Sequence, residues 1–232
     1  MVDLLALRSG IYLPAADESG ATRAKRPARG SHPPGSFFYY NNWDANVLAE
    51  IYRRATRRDF FSGFAARLAR PLCMQDFDLD RDGLYTFDLT APRYPSYGFK
   101  LSARDLARFG QLYLDRGRWQ GQQIVPADWI AESATPRSSA GWGGPMDSFG
   151  FLWWMPPAAF PASMPPALKG SFTANGAGGN KLTVIPALGA VLVVRTRTPP
   201  GAKQDKAFIS NEAWSQLLVE FATAMSPRPG AR

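Results

Sequence analysis

Apolar and polar positions along this chain fall into two regimes. In the first, up to about residue 134, apolar side chains recur at helical spacing. Val47, Leu48, Ile51, Tyr52 and Ala55 stand at i, i+3, i+4 intervals and predict a helix over Asn42–Thr56, with an Asn at its start suited to the N-cap. Phe60, Phe61, Phe64 and Leu68 predict another over 59–69, stopped at Arg70-Pro71 because a proline drives the residue before it out of the helical region. Ser102-Ala103-Arg104-Asp105 reads as a capping-box variant, and Leu106, Phe109, Leu112 and Tyr113 then mark the buried face of a helix ending near Gly117. Pro126 suits the first turn of a helix running to residue 134.

In the second regime the period shortens. Residues 149–155, 171–175, 180–185 and 190–197 are aromatic or β-branched runs separated by Gly and Pro, which predicts antiparallel strands, with a hairpin turn at Pro186-Ala187-Leu188-Gly189. Helical spacing returns over Asn211–Met225, where Trp214, Leu217, Leu218 and Phe221 form one face for packing on the sheet. The order predicts an α+β fold: a single domain over 1–232, with a mainly helical lobe at 1–145, antiparallel strands and a C-terminal helix at 146–232, and an active cleft between the lobes. Residues 11–36 read as a long surface loop, and 73–99 as irregular. Within the latter, Asp76 to Gly83 resembles a calcium loop, but the Glu that closes such a loop is absent, and an exposed turn is the expectation.

Composition narrows the function classes. The 232 residues, 45% of them hydrophobic, suffice for a substantial core. The net charge of +8 comes mainly from dispersed arginines such as Arg53-Arg54 and Arg57-Arg58. No nucleic-acid-binding motif accompanies it, so solvated helix faces are expected and no nucleic-acid partner. A single cysteine, Cys73, excludes an intramolecular disulfide and a Cys-rich metal framework, and its apolar neighbours suggest core packing. The single histidine, His32, lies in a Pro/Gly turn that favours a structural loop over a Ser-His-Asp triad. With no G-x-S-x-G elbow and no phosphate-binding Gly-Lys-Ser/Thr, neither an α/β-hydrolase site nor a cofactor is indicated. No apolar run approaches the ~18 to 20 residues that span a bilayer, so a soluble chain is expected, with its compartment open.

The candidate chemistry lies at the start of the Asn42 helix. In Phe37-Phe38-Tyr39-Tyr40-Asn41-Asn42-Trp43 a phenol and a carboxamide, Tyr40 and Asn42, sit two residues apart where loop meets rigid element. This run resembles the Tyr-x-Asn element of the penicillin-binding protein and class C β-lactamase superfamily, which includes esterases and amide hydrolases. Phe172 to Asn180 and the following Lys181-Leu182-Thr183-Val184-Ile185-Pro186 resemble that family's Lys-Thr-Gly strand, its glycines and the returning strand. Leu4 to Ile11 is similar to the helix and Ser-Gly turn that follow its nucleophile region. The resemblance implies a serine hydrolase working through an acyl-enzyme on a small ester or amide. Tyr40 is then the proton-transfer group and Asn42 orients lysine and substrate. Ala174, Asn175, Gly176 and Ala177 form the substrate-binding edge, with the Ala177 N–H as an oxyanion donor.

Two departures qualify that implication. Ala174-Asn175-Gly176 stands where Lys-Thr-Gly is expected, so the carboxylate-anchoring cation is missing and esterase or amidase chemistry fits better than antibiotic hydrolysis. No serine has a lysine three positions later, so Ser-x-x-Lys is absent. With an opening inside an apolar helical pattern, the expectation is an N-terminally truncated chain, inactive alone; the alternative is a noncatalytic ligand- or protein-binding module on the same scaffold. Trp153-Trp154 and Phe149-Gly150-Phe151 read as core, with an apolar acyl pocket as the other reading.

Overall fold

Asn41, not Asn42, caps the long helix of the first half: its Oδ1 accepts from Asp44 N at 2.8 Å, and the helix runs Asn42–Thr56 as the periodicity predicts. The computed structural model describes residues 1–88, 94–141, 145–196 and 209–226. They fold as two compact units, Met1–Asp105 and Leu106–Arg232.

In the first unit, α1 (Val2–Leu5) and α2 (Gly20–Ala24) precede α3 (Asn42–Thr56). Helix α4 (Phe60–Phe64) is capped by Asp59, which accepts from Ser62 N, and runs into a π-helical turn at Ala65–Ala69. The segment expected to be irregular is in part ordered: α5 (Leu79–Asp82) leads into an antiparallel hairpin of β1 (Gly83–Thr86) and β2 (Ser96–Phe99). An aromatic cluster fixes this hairpin, with Phe61 against Tyr85 and Phe99, and Phe60 against Tyr97. Its driving contacts join residues over twenty positions apart, so no local alternation announces it. The Asp-rich patch is a helix start. Asp78 caps α5 by accepting from Asp80 N and Arg81 N, and buried Asp82 accepts from Asp78 N and Arg81. Cys73 is exposed, with φ +54°, because the backbone reverses there and turns its side chain outward, against the expected core packing.

Helix α6 (Ala103–Leu114) begins at Ser102, whose Oγ accepts from Asp105 N, as the capping pattern predicts. In the second unit the small hairpin of β3 (Arg118–Trp119) and β4 (Gln122–Gln123) precedes α7 (Ala127–Ser133). Then come β5 (Ser138–Ser139), β6 (Ser148–Phe149), β7 (Trp154–Met155), β8 (Phe172–Gly176), β9 (Asn180–Ile185), β10 (Ala190–Val194) and α8 (Asn211–Met225). Among the described residues β5 to β10 form one antiparallel sheet in the order β10-β9-β8-β7-β6-β5. The single strand expected at 149–155 is two strands joined by a tight reversal, with Leu152 at φ +61° and Gly150 N donating to Trp153 O. Position 197 of the expected last strand lies outside the described residues.

Side chains alternate across the sheet with the period of two that a strand imposes. Phe172, Leu182 and Val184, with Ala174, Val191 and Val193, pack with Trp153 and Met155 against Leu106, Phe109 and Tyr113 of α6. Ile185, Leu192 and Val194 face Trp214 and Leu218 of α8. Leu217 is 45% exposed, so the buried stripe of α8 is narrower than its sequence suggests. Phe149, Phe151, Trp153 and Trp154 are each at most 5% exposed and belong to the core.

Candidate active site

The loop before α3 delivers Tyr40. Tyr39 N donates to Leu7 O at 3.1 Å and its hydroxyl to Thr22 O at 2.9 Å, so Tyr39 is buried and anchored on both ends. Tyr40, the next residue, is 39% exposed. Burial of its phenol raises its pKa above the ordinary value.

The two asparagines of the motif divide their work. Asn41 is 8% exposed; besides capping α3 it donates through Nδ2 to Tyr39 O at 2.7 Å. Asn42 Nδ2 donates to Asp17 O at 2.8 Å, and one turn on Asn46 Nδ2 donates to Ala16 O at 3.2 Å. These two amides, four residues apart on one helix face, pin consecutive carbonyls of the preceding loop. Asn42 thus spends one amide hydrogen on the scaffold; Oδ1 and a second N–H complete its donor and acceptor set.

A buried carboxylate that the sequence reading did not single out lies beneath them. Asp44 is 1% exposed; its Oδ1 accepts from Ser9 Oγ at 2.5 Å and its Oδ2 from Ser9 N at 3.3 Å. Desolvation pushes its pKa up; hydrogen bonds from Ser9 and Asn41 oppose this, and the charge of Asp3 adds to it. The signal available in sequence was an Asp in the first turn of a helix, which is common for dipole reasons alone.

The second candidate segment divides by strand geometry. Ala174 lies with the α6-side apolar cluster. Asn175 faces the other way and lines a cavity of about 240 Å3 with Trp154, Thr173, Asn211, Glu212 and Trp214. Gly176 and Ala177, at the strand end, are exposed. A side chain at Gly176 would come within 3.2 Å of Asn180 Cβ, and Gly178 and Gly179 adopt φ +75° and +88°, so these glycines shape the β8–β9 connection. Opposite Asn175 in the ladder, Lys181 is 4% exposed and donates from Nζ to Asn211 Oδ1 at 2.6 Å; burial lowers its pKa. Tyr40 and Asn42 thus belong to the first unit and 174–177 to the second. His32 stacks on Phe37 with ring centroids 4.1 Å apart, as a loop-packing residue does.

A 6-aminohexanoate-dimer hydrolase of Paenarthrobacter ureafaciens is 33% identical over 93 residues, which is 40% of this chain and 22% of that protein. A Bacillus anthracis structure assigned as a 6-aminohexanoate-dimer hydrolase superposes with TM-score 0.69 at 23% identity, over 97% of this chain and 61% of that one. A β-lactamase structure from Mycobacterium bovis gives TM-score 0.61 at 20% identity, over 96% of this chain and 71% of its own. The chain spans less than two thirds of the first two proteins' lengths. The family model described as Beta-lactamase matches residues 1–211, which take in both candidate segments, and the chain belongs to this Beta-lactamase family.

Proposed function

We propose that this chain is the Tyr40-bearing part of a serine hydrolase that cleaves small amides or esters through an acyl-enzyme. The observation that carries the reading is the family match across 1–211, which includes the Tyr40-Asn41-Asn42 start of α3 and the 174–177 strand end. A serine hydroxyl needs a proton acceptor to attack a carbonyl and donors to hold the resulting oxyanion. Tyr40 is the proton-transfer group, Asn42 orients the reacting groups through what its bond to Asp17 leaves, and the Ala177 N–H at the exposed strand end is an oxyanion donor. Asn175 and Gly176 border the substrate; Ala174 presents no cation to a carboxylate.

The substrate class is a short linear amide, following the names of the two 6-aminohexanoate-dimer hydrolases to which the chain is similar. A further element of the reading is that the 232 residues are catalytically incomplete, because no Ser-x-x-Lys occurs in them. Among the described residues no helix is long and apolar enough to cross a membrane.

The test compares two forms of the protein on p-nitrophenyl esters and a linear ω-amino amide. The 232-residue chain is expected to turn over substrate no faster than its Tyr40→Phe variant. A fusion supplying a Ser-x-x-Lys segment ahead of Met1 is expected to be active, and Tyr40→Phe in it to lower kcat by ~10² to 10⁴, the range for a positioned proton-transfer group. Stoichiometric fluorophosphonate labelling of the 232-residue chain would overturn the incompleteness, and full kcat in the fused Tyr40→Phe form would overturn the role of Tyr40. An inactive fusion that still binds the amide would favour the noncatalytic binding module.

A further inference from the structure

Tyr40 lies inside a closed circuit of hydrogen bonds. Starting from Leu7 O, the circuit passes to Tyr39 N, then from Tyr39 O to Asn41 Nδ2, from Asn41 Oδ1 to Asp44 N, and from the Asp44 carboxylate to Ser9, two residues from Leu7. Tyr40 sits between two of its members, Tyr39 and Asn41. The chain that closes the circuit, Leu7 to Gly10, is held in uncommon backbone states. Buried Leu7 has φ +53°, and Gly10 has φ +73° where a Cβ would meet His32 O at 2.7 Å. Such a conformation is strained for a non-glycine residue and persists only where surrounding contacts over-determine it. Asp44 supplies two of those contacts, to Ser9 N and Ser9 Oγ, and Ser9 Oγ in turn accepts from Ile11 N at 3.2 Å.

A charged side chain buried this completely is expensive unless every interaction is used for something. The apolar alternative would pack α1 on α3 without fixing register, whereas a carboxylate gripping one backbone N–H and one hydroxyl fixes it to a fraction of an ångström. We propose that Asp44 is a positioning residue for Tyr40: by locking the Ser9 turn to the first turn of α3, it closes the circuit that holds the Tyr40 backbone in place. The inference rests on the reading of Tyr40 as the proton-transfer group. It adds a residue that never touches substrate yet sets where the phenol stands, and a displacement of ~1 Å in such a group costs ~10²-fold in rate.

The test uses Asp44→Asn, which keeps the shape but cannot accept from both Ser9 groups, and Ser9→Ala, which removes one hydroxyl and keeps the chain foldable should Asp44→Asn fail. Ring-¹³C tyrosine NMR on the 232-residue chain, with Tyr40 assigned through Tyr40→Phe, reads the position of the phenol directly. In both variants the Tyr40 signal is expected to shift and broaden and its titration midpoint to move down toward the ordinary value as water reaches the ring. Tyr85, bonded to Asp59 and titrating near 12, is expected to stay unchanged as the folded control. An unmoved Tyr40 signal in variants that merely melt earlier would overturn the proposal and leave Asp44 a packing residue. In the fused form Asp44→Asn is expected to lower kcat at least tenfold with KM within about twofold. Full kcat there beside a slow Tyr40→Phe overturns this inference alone; full kcat in Tyr40→Phe overturns the proposed function while the NMR result stands.

Discussion

The start of α3 and the end of β8 each carry part of the candidate site, and they are built by opposite means. At α3 the positions are set mainly by side chains that bond to groups far away in sequence, Asn42 to Asp17 O, Asn46 to Ala16 O and Asp44 to Ser9, with Asn41 bonding locally to Tyr39 O. At β8 they are set by the ladder and by apolar packing on both faces; Asn175 and Ala174 part company because a strand alternates, and Gly178 and Gly179 make the turn. A site of the first kind is tuned by single hydrogen bonds and moves when one is lost. A site of the second kind shifts only when a layer of the core shifts, so it tolerates surface change and fails with the sheet.

Four substitutions sharpen or break that contrast. The largest effect is expected at Trp153→Ala, which empties the layer between α6 and β8: a loss of about 3–5 kcal/mol in denaturant unfolding, since a buried aromatic is removed from a cluster that cannot collapse around the gap. A loss under 1 kcal/mol would show that the sheet does not depend on that layer. Next is Gly178→Ala, expected to cost about 1–3 kcal/mol because its φ of +75° lies where an L side chain is strained. A stabilising result would mean that the turn relaxes freely. Asn41→Ala should cost about 1 kcal/mol as a lost N-cap and also move the Tyr40 NMR signal, whereas Asn41→Asp should keep the cap and lose the bond to Tyr39 O. Equal behaviour of the two variants would remove Asn41 from the wiring of the site.

The smallest effect concerns pH. Glu50, hydrogen-bonded by Arg53 and Arg54, has its pKa lowered to about 2, so its contribution to stability is present above the unfolded value, near 4.5, and is lost as pH falls toward 2. The pair is solvent-exposed, so Glu50→Gln should remove at most a few tenths of a kcal/mol from the acid limb, and salt should erase the difference. Asp44 has the opposite sign: its folded pKa is raised, so its favourable contribution is present below the unfolded value near 4 and is lost as pH rises through the folded pKa. A stability profile of Asp44→Asn that lost the same acid limb as Glu50→Gln would contradict the burial argument.

Much of this was legible in sequence. The bounds of α3, β9 and α8 follow from periodicity and caps, the capping role of Ser102 from its spacing to Asp105, and the family from Tyr40-Asn41-Asn42 and the glycine-rich strand. These signals are local: a helix face repeats within two turns and a cap acts across three residues, so a linear reading contains the physics. Tertiary structure alone decided that Asn41 caps while Asn42 ties down Asp17, and that Leu217 faces outward. It also decided that 149–155 reverses into two strands and that a hairpin forms from β1 and β2. Above all it decided that Asp44 meets Ser9, thirty-five residues away. An aspartate in a first helical turn satisfies the dipole in water as well as in a core; only the packing of α1 against α3 removed the water and gave that carboxylate a serine to hold.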